Sequence, residues 1–78
     1  MDAILYTRDG CHLCELARKV LEDHGVSITP IDIDEHPEHR SRFDYCIPVV
    51  EIEGKIRFRG RVHPVLLRRF LAKKAKSP

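Results

Sequence analysis

From Asp2 to Thr7 the chain carries the apolar run Ala3-Ile4-Leu5-Tyr6, closed by the turn-forming Arg8-Asp9-Gly10, which predicts a buried strand. Leu13, Leu16, Ala17, Val20 and Leu21 then recur at three- and four-residue spacing. That is the period of an amphipathic helix opening at His12, and Gly25 supplies its stop. Val26, Ile28, Ile31 and Ile33 form a second strand. Pro30 sits inside it without a ladder donor, so the strand is assigned to a sheet edge. Strand, helix, strand is a right-handed βαβ unit.

Asp34 to Phe43 is charged, with Pro37 suited to a first helical turn, and predicts a short helix. Pro48 to Ile52 and Lys55 to Arg59 read as two strands joined across Glu53-Gly54, a hairpin signal. In the second of these, Ile56 and Phe58 are expected on one face, with Lys55, Arg57 and Arg59 on the other, protecting an edge. His63-Pro64 opens a last helix. Its apolar face is expected to be Leu66, Leu67, Phe70 and Leu71, opposite Arg68, Arg69, Lys73 and Lys74.

The order β-α-β-α-β-β-α predicts an α/β domain with one four-stranded mixed sheet flanked by helices. Pro30 puts strand two at one edge and the alternating charges put strand four at the other. The apolar strands one and three are left in the centre, giving the order 2-1-3-4. With 78 residues there is room for a single domain, assigned to residues 1–75 with a flexible tail at 76–78. No apolar run approaches the length of a membrane span, and the first residues lack the basic start of an export signal. A cytoplasmic protein without a membrane partner is expected.

The formal net charge of +2 hides an asymmetry, because all 12 acidic residues lie between Asp2 and Glu53. From Lys55 onward every charged residue is basic, so the C-terminal third presents a basic surface. Such a surface solvates an edge strand and a terminal helix, and nucleic acid is not expected as a partner.

Chemistry concentrates at Cys11-His12-Leu13-Cys14, where the first strand hands over to the first helix. A thiol at a helix N-terminus meets unpaired N–H groups and the positive end of the helix dipole, which favour the nucleophilic thiolate. Cys11 is therefore read as the exposed, activated sulfur. Cys14, one turn on, is read as the buried thiol that attacks a mixed disulfide and releases the product. A structural staple is a poor alternative: a ring of four residues constrains the unfolded chain by about 1.9 kcal/mol, against about 3.8 kcal/mol for a ring from Cys11 to Cys46. Structural zinc usually takes two close ligand pairs, whereas His36 and His39 lie in a separate segment, so no metal is assigned.

The segment Leu5 to Cys14 resembles the opening of glutaredoxin-like proteins of the thioredoxin fold, and Ile47-Pro48-Val49-Val50 resembles that fold's second motif. Together they extend the resemblance over residues 2 to 72, nearest to a branch of short proteins sharing a Cys-His-x-Cys centre. It implies a cis bond before Pro48, facing the Cys pair, with the Ile47 backbone available to pair with an extended substrate. It also implies that Arg8 stands where glutaredoxins often keep a basic residue for a glutathione carboxylate, and that Gly60 matches one of the two glycines that hold the γ-glutamyl end. No acidic residue follows Gly60, and His12-Leu13 replaces the common Pro-Tyr.

The expected function is thus thiol–disulfide exchange on protein or glutathione mixed disulfides. Cys11 and Cys14 are the expected catalytic residues, and Arg8, His12, Ile47, Pro48 and Gly60 the expected substrate contacts. A monomer is expected, with no permanently bound cofactor and with electrons from glutathione or a reductase. The contrasting class is a non-enzymatic thioredoxin-fold adaptor or metal-binding module using the basic C-terminal surface. Cys46 is expected to be a small packed residue or a third redox thiol, Phe43 and Tyr45 packing residues, and His63 the cap of the last helix.

Overall fold

The sheet order in the computed structural model, which describes residues 1–75, is β2-β1-β3-β4. It is built from β1 (Asp2–Thr7), β2 (Ser27–Asp32), β3 (Val49–Ile52) and β4 (Lys55–Arg59). The tail assigned to 76–78 lies outside the described residues. β1 pairs in parallel with β2 and antiparallel with β3, and β3 pairs antiparallel with β4, so the expected mixed order is observed. Pro30 stands opposite Leu5 on the edge strand, where its missing N–H breaks no central ladder.

Both faces of the central strands are covered, which explains their unbroken apolar runs. Ala3, Leu5, Val50 and Ile52 pack with Ala17 and Leu21 of α1 (His12–Asp23) and Leu67 of α3 (Pro64–Ala75). Tyr6 and Val49 pack on the opposite face with Ile33 and with Phe43 of α2 (Pro37–Phe43). Burial, the neighbouring Glu51 charge and a hydrogen bond donated to Glu51 Oε1 at 3.3 Å push the Tyr6 phenol above its ordinary pKa.

Local chemistry sets the boundaries. α1 ends where Gly25 turns left-handed at φ 77°, a conformation glycine adopts without a Cβ clash. The Asp32 carboxylate accepts the Asp34 N–H at 2.9 Å, ending β2 and opening a 3₁₀ turn at Ile33–Glu35. The helix expected over Asp34 to Phe43 is therefore shorter, and it restarts at Pro37. His63 caps α3, its Nδ1 accepting the Val65 N–H at 3.3 Å.

Three packing expectations are corrected. A register shift in the β3–β4 ladder pairs Val50 with Phe58 but Glu51 with Ile56, leaving Arg57 as the extra residue of a bulge. Phe58 and Ile56 consequently pack on opposite faces rather than one. On α3 the buried stripe is Leu67 with Phe70 and Leu71, while Leu66 is exposed. On α1 the buried residues are Cys14, Ala17 and Leu21, and the apolar residues Leu13 and Leu16 are left uncovered.

The β3–β4 turn offers a test of local conformation against surface charge. Glu53 and Gly54 both have positive φ, 56° and 76°, as a type I′ hairpin turn requires, but Glu53 is an ordinary L-residue there. The left-handed region costs such a residue about 1–2 kcal/mol, less for Asn, whereas the exposed Glu53–Lys74 pair at 3.0 Å counts for a fraction of that. Glu53→Asn is expected to raise the unfolding midpoint by about 2–5 °C. The Lys74 hydrogen bond holds the Glu53 pKa below its usual 4.5, so the pair's contribution is present above that value and fades as pH falls through the lowered one. The advantage of Asn should widen on acidification. A lower midpoint for the variant in calorimetry at pH 7 would contradict the strain assigned to the turn.

Candidate functional site

The Cys pair lies where the central strand β1 runs into α1. Gly10, at φ 76°, turns the chain after Arg8-Asp9, and the Cys11 N–H donates to the Arg8 carbonyl at 3.2 Å. Cys11 is the N-cap of α1 in extended geometry, and its Sγ accepts the Cys14 N–H at 3.2 Å. A backbone donor aimed at that sulfur, in the first turn of a 12-residue helix, is the environment that stabilises a thiolate. Cys11 and Cys14 are placed as a disulfide pair, their Cα atoms 5.2 Å apart. Cys11 is half-buried, whereas Cys14 is only 2% exposed, so an incoming group meets Cys11 first.

The loop before β3 closes the other side. β1 and β3 pair through Tyr6 and Val49, so one step further along the antiparallel register sets Pro48 beside Thr7, at the foot of the Cys turn. The Ile47–Pro48 bond is cis, Pro48 is fully buried, and Ile47 is half-buried against the Tyr6–Phe43 cluster. The Gly60 N–H donates to the carbonyls of Cys46 at 2.8 Å and Pro48 at 2.7 Å, fastening the end of β4 to this loop.

The expected substrate contacts separate on inspection. Cys11, Cys14, Ile47 and Pro48 come to the same end of the sheet, and His12 is exposed at the first position of α1. Arg8 is corrected. Its guanidinium donates to Asp34 Oδ2 at 2.9 Å and Oδ1 at 3.0 Å and also pairs with Asp44, and these bonds raise its pKa further. Two carboxylates already satisfy that fork, so Arg8 clamps the Cys turn to the segments flanking α2 rather than offering a free cation to a carboxylate ligand. The Gly60 N–H is likewise bonded within the protein, to the carbonyls of Cys46 and Pro48. The expectation for Tyr45 also fails: it is 97% exposed, between Asp44 held by Arg8 and Cys46 turned toward the Phe43 cluster. Cys46 packs there as a free cysteine.

Sequence reading missed Asp34 and Asp44 as partners of Arg8. Their only signal was an acidic charge, Asp34 at the start of the charged segment read as a short helix and Asp44 just after its end, and neither is near Arg8 along the chain. Among the described residues no group of three or more acidic, Cys or His side chains is placed to hold a metal.

Comparison with known proteins converges on this geometry. The model of the glutaredoxin-like domain (DUF836) matches residues 2–72, which include both the Cys pair and Ile47-Pro48. The chain belongs to the glutaredoxin-like domain family. A structural genomics target protein from X. campestris, XcR50, superposes with a TM-score of 0.81 at 25% identity, over 97% of this chain and 99% of its own. The glutaredoxin-like NrdH-redoxin from Escherichia coli, described with a thioredoxin-like activity profile, matches with a TM-score of 0.67 at 26% identity, over 88% of this chain and 93% of its own. A glutaredoxin from Archaeoglobus fulgidus shares the fold with a TM-score of 0.65 at 20% identity, over 88% of this chain and 84% of its own. Nothing among curated proteins matches the sequence. Membership of a glutaredoxin-like family, with a Cys-x-x-Cys centre on a thioredoxin-like fold, indicates redox activity at the Cys pair.

Proposed function

We propose that this glutaredoxin-like domain is a thiol–disulfide oxidoreductase, with Cys11 the nucleophile and Cys14 the resolving thiol. The observation that carries the proposal is the N-cap placement of Cys11, whose sulfur receives the Cys14 N–H while Cys14 itself is buried behind it. In the reduced protein the Cys11 thiolate attacks one sulfur of a substrate disulfide. A Cys11–substrate S–S bond forms, the substrate S–S bond breaks, and the leaving thiolate takes a proton from water. Cys14, having lost its proton, then attacks Cys11 Sγ, closing the Cys11–Cys14 disulfide and releasing the second substrate thiolate. The substrate gains two electrons and the protein loses two, which glutathione or a dithiol reductase restores.

The substrates on this reading are protein or glutathione mixed disulfides, and a reducing compartment such as the cytoplasm supplies the electrons. Glutathione itself is held weakly. Arg8 is occupied by Asp34 and Asp44, and the stretch Arg59 to His63 provides cations but no acidic partner for an ammonium group.

Equilibration with defined ratios of reduced to oxidised glutathione, quenched by alkylation and read by mass, tests the proposal. A two-electron transition confined to Cys11 and Cys14 is expected, tenfold in ratio for about 30 mV. A pair that stays locked across that range, or a protein whose reduced form leaves 2-hydroxyethyl disulfide untouched, would refute it.

A further inference from the structure

We propose that the groove between α1 and the β4–α3 loop is a docking surface for protein substrates. It would accept the segment around a partner's disulfide when that segment carries aliphatic side chains and an acidic residue. The inference rests on the assignment of Cys11 as nucleophile and names the substrate class of that same site.

Helix α1 presents more apolar surface than the fold covers. Its buried residues are Cys14, Ala17 and Leu21, at three- and four-residue spacing, and Val20 packs partly against the same core. Leu13, Leu16 and Val20 repeat the same spacing one position earlier, so they form a second stripe alongside the first. Leu13 is 50% exposed, Leu16 48% and Val20 intermediate. Adjacent aliphatic residues left half in water mark an interaction surface more often than isolated ones do.

The stripe is one wall of a groove of about 340 Å³ whose other wall is Arg61, Val62 and Pro64. Two features decide the occupant. The stripe begins between the two cysteines, since Leu13 separates Cys11 from Cys14, and it extends about 14 Å along the helix from Cys11 to Val20. An extended segment of about four residues spans that length. A peptide bonded to Cys11 would therefore lay its neighbouring side chains over Leu13 and Leu16.

The other feature is charge. No acidic residue lines the groove. Arg61 is exposed at its rim, and none of the ion pairs among the described residues involves it. The cavity on the opposite side of the Cys pair differs in kind, with Arg8, Asp9, Glu15, Arg18 and Asp32 all contributing to its lining. Of these two cavities beside the Cys pair, it is the α1 groove that joins uncovered aliphatic surface to a positive charge without an acidic neighbour in the lining. A small, highly charged tripeptide uses the cation but leaves the leucines wet, whereas an aliphatic and acidic protein segment uses both.

Heptapeptides with a central Cys, activated as the mixed disulfide with thionitrobenzoate, make direct probes because release of the chromophore reports attack by Cys11. One carries Leu, Leu and Glu outward from Cys on each side, so either chain direction is covered. In a second Ser replaces Leu, and in a third Lys replaces Glu. In single turnover with the reduced wild-type protein, the second-order rate constant for chromophore release is expected to be about tenfold higher for the Leu-Glu peptide than for the Ser-Glu one, and about two- to fivefold higher than for the Leu-Lys one. Leu16→Glu should remove the preference for Leu while reducing 2-hydroxyethyl disulfide, which is too small to reach Leu16, at the wild-type rate. Arg61→Glu should shift the preference from Glu to Lys.

Equal rates on all three peptides, or faster reduction of glutathione disulfide than of any peptide, would overturn the docking surface and leave the oxidoreductase proposal standing. A wild-type protein that reduces neither the peptides nor 2-hydroxyethyl disulfide overturns both.

Discussion

Cys11→Ser is expected to lower disulfide reduction by on the order of 10³ or more, because a hydroxyl at this N-cap stays protonated at neutral pH and cannot act as the nucleophile. The fold should be undisturbed, since serine is a preferred N-cap and its oxygen can accept the Cys14 N–H as the Cys11 sulfur does. Cys14→Ser should behave differently. The first attack by Cys11 remains, resolution is lost, and the protein accumulates as a mixed disulfide visible as the mass of the substrate thiol. External glutathione should then be needed for release. In the reduced wild-type protein at mildly acidic pH, iodoacetamide should modify Cys11 well before Cys14, which is 2% exposed. If Cys11→Ser retains substantial activity, or Cys14 is alkylated first, the two roles are reversed.

The same pair of residues shows how far a sequence can be read. Their position between an apolar strand and an amphipathic helix was visible because both signals are local: a period-two apolar run, a turn, then a period near 3.6. Strand order was also legible, because Pro30 and the charges of Lys55 to Arg59 each constrain a strand to an edge, and a four-stranded sheet has only two. What escaped depended on surroundings. The pairing of Arg8 with Asp34 and Asp44 joins segments 26 and 36 residues apart, and nothing in the local pattern of any of the three announces it. The bulge at Arg57 reversed the expected face of one β4 residue, since alternation within a strand assumes an unbroken register. Leu13, Leu16 and Leu66 show a third kind of limit. Periodicity reveals which helix face is apolar, but the width of the covered stripe is set by the elements packed against it. The leucines that the fold leaves uncovered on α1 are the ones beside the Cys pair.

That limit supplies the last expected result, on two neighbouring leucines of α3. Leu66 and Leu67 have the same helix propensity, and the sequence assigned both to the buried face. In the structure Leu67 is fully buried among Ala3, Leu5, Leu21 and Val50, whereas Leu66 is 53% exposed. Truncation of a buried leucine loses its transfer free energy and leaves a cavity, so Leu67→Ala should cost about 2–5 kcal/mol. A domain of this length holds only about 4–12 kcal/mol in total. Leu67→Ala should therefore bring the protein close to unfolding at 37 °C. Leu66→Ala removes a side chain that already meets water and should cost less than about 1 kcal/mol. Urea titration followed by circular dichroism separates the two: a large fall in midpoint at constant slope for Leu67→Ala and a small one for Leu66→Ala. Equal losses would mean that α3 is rotated about its axis from the position described, with Leu66 sharing the core.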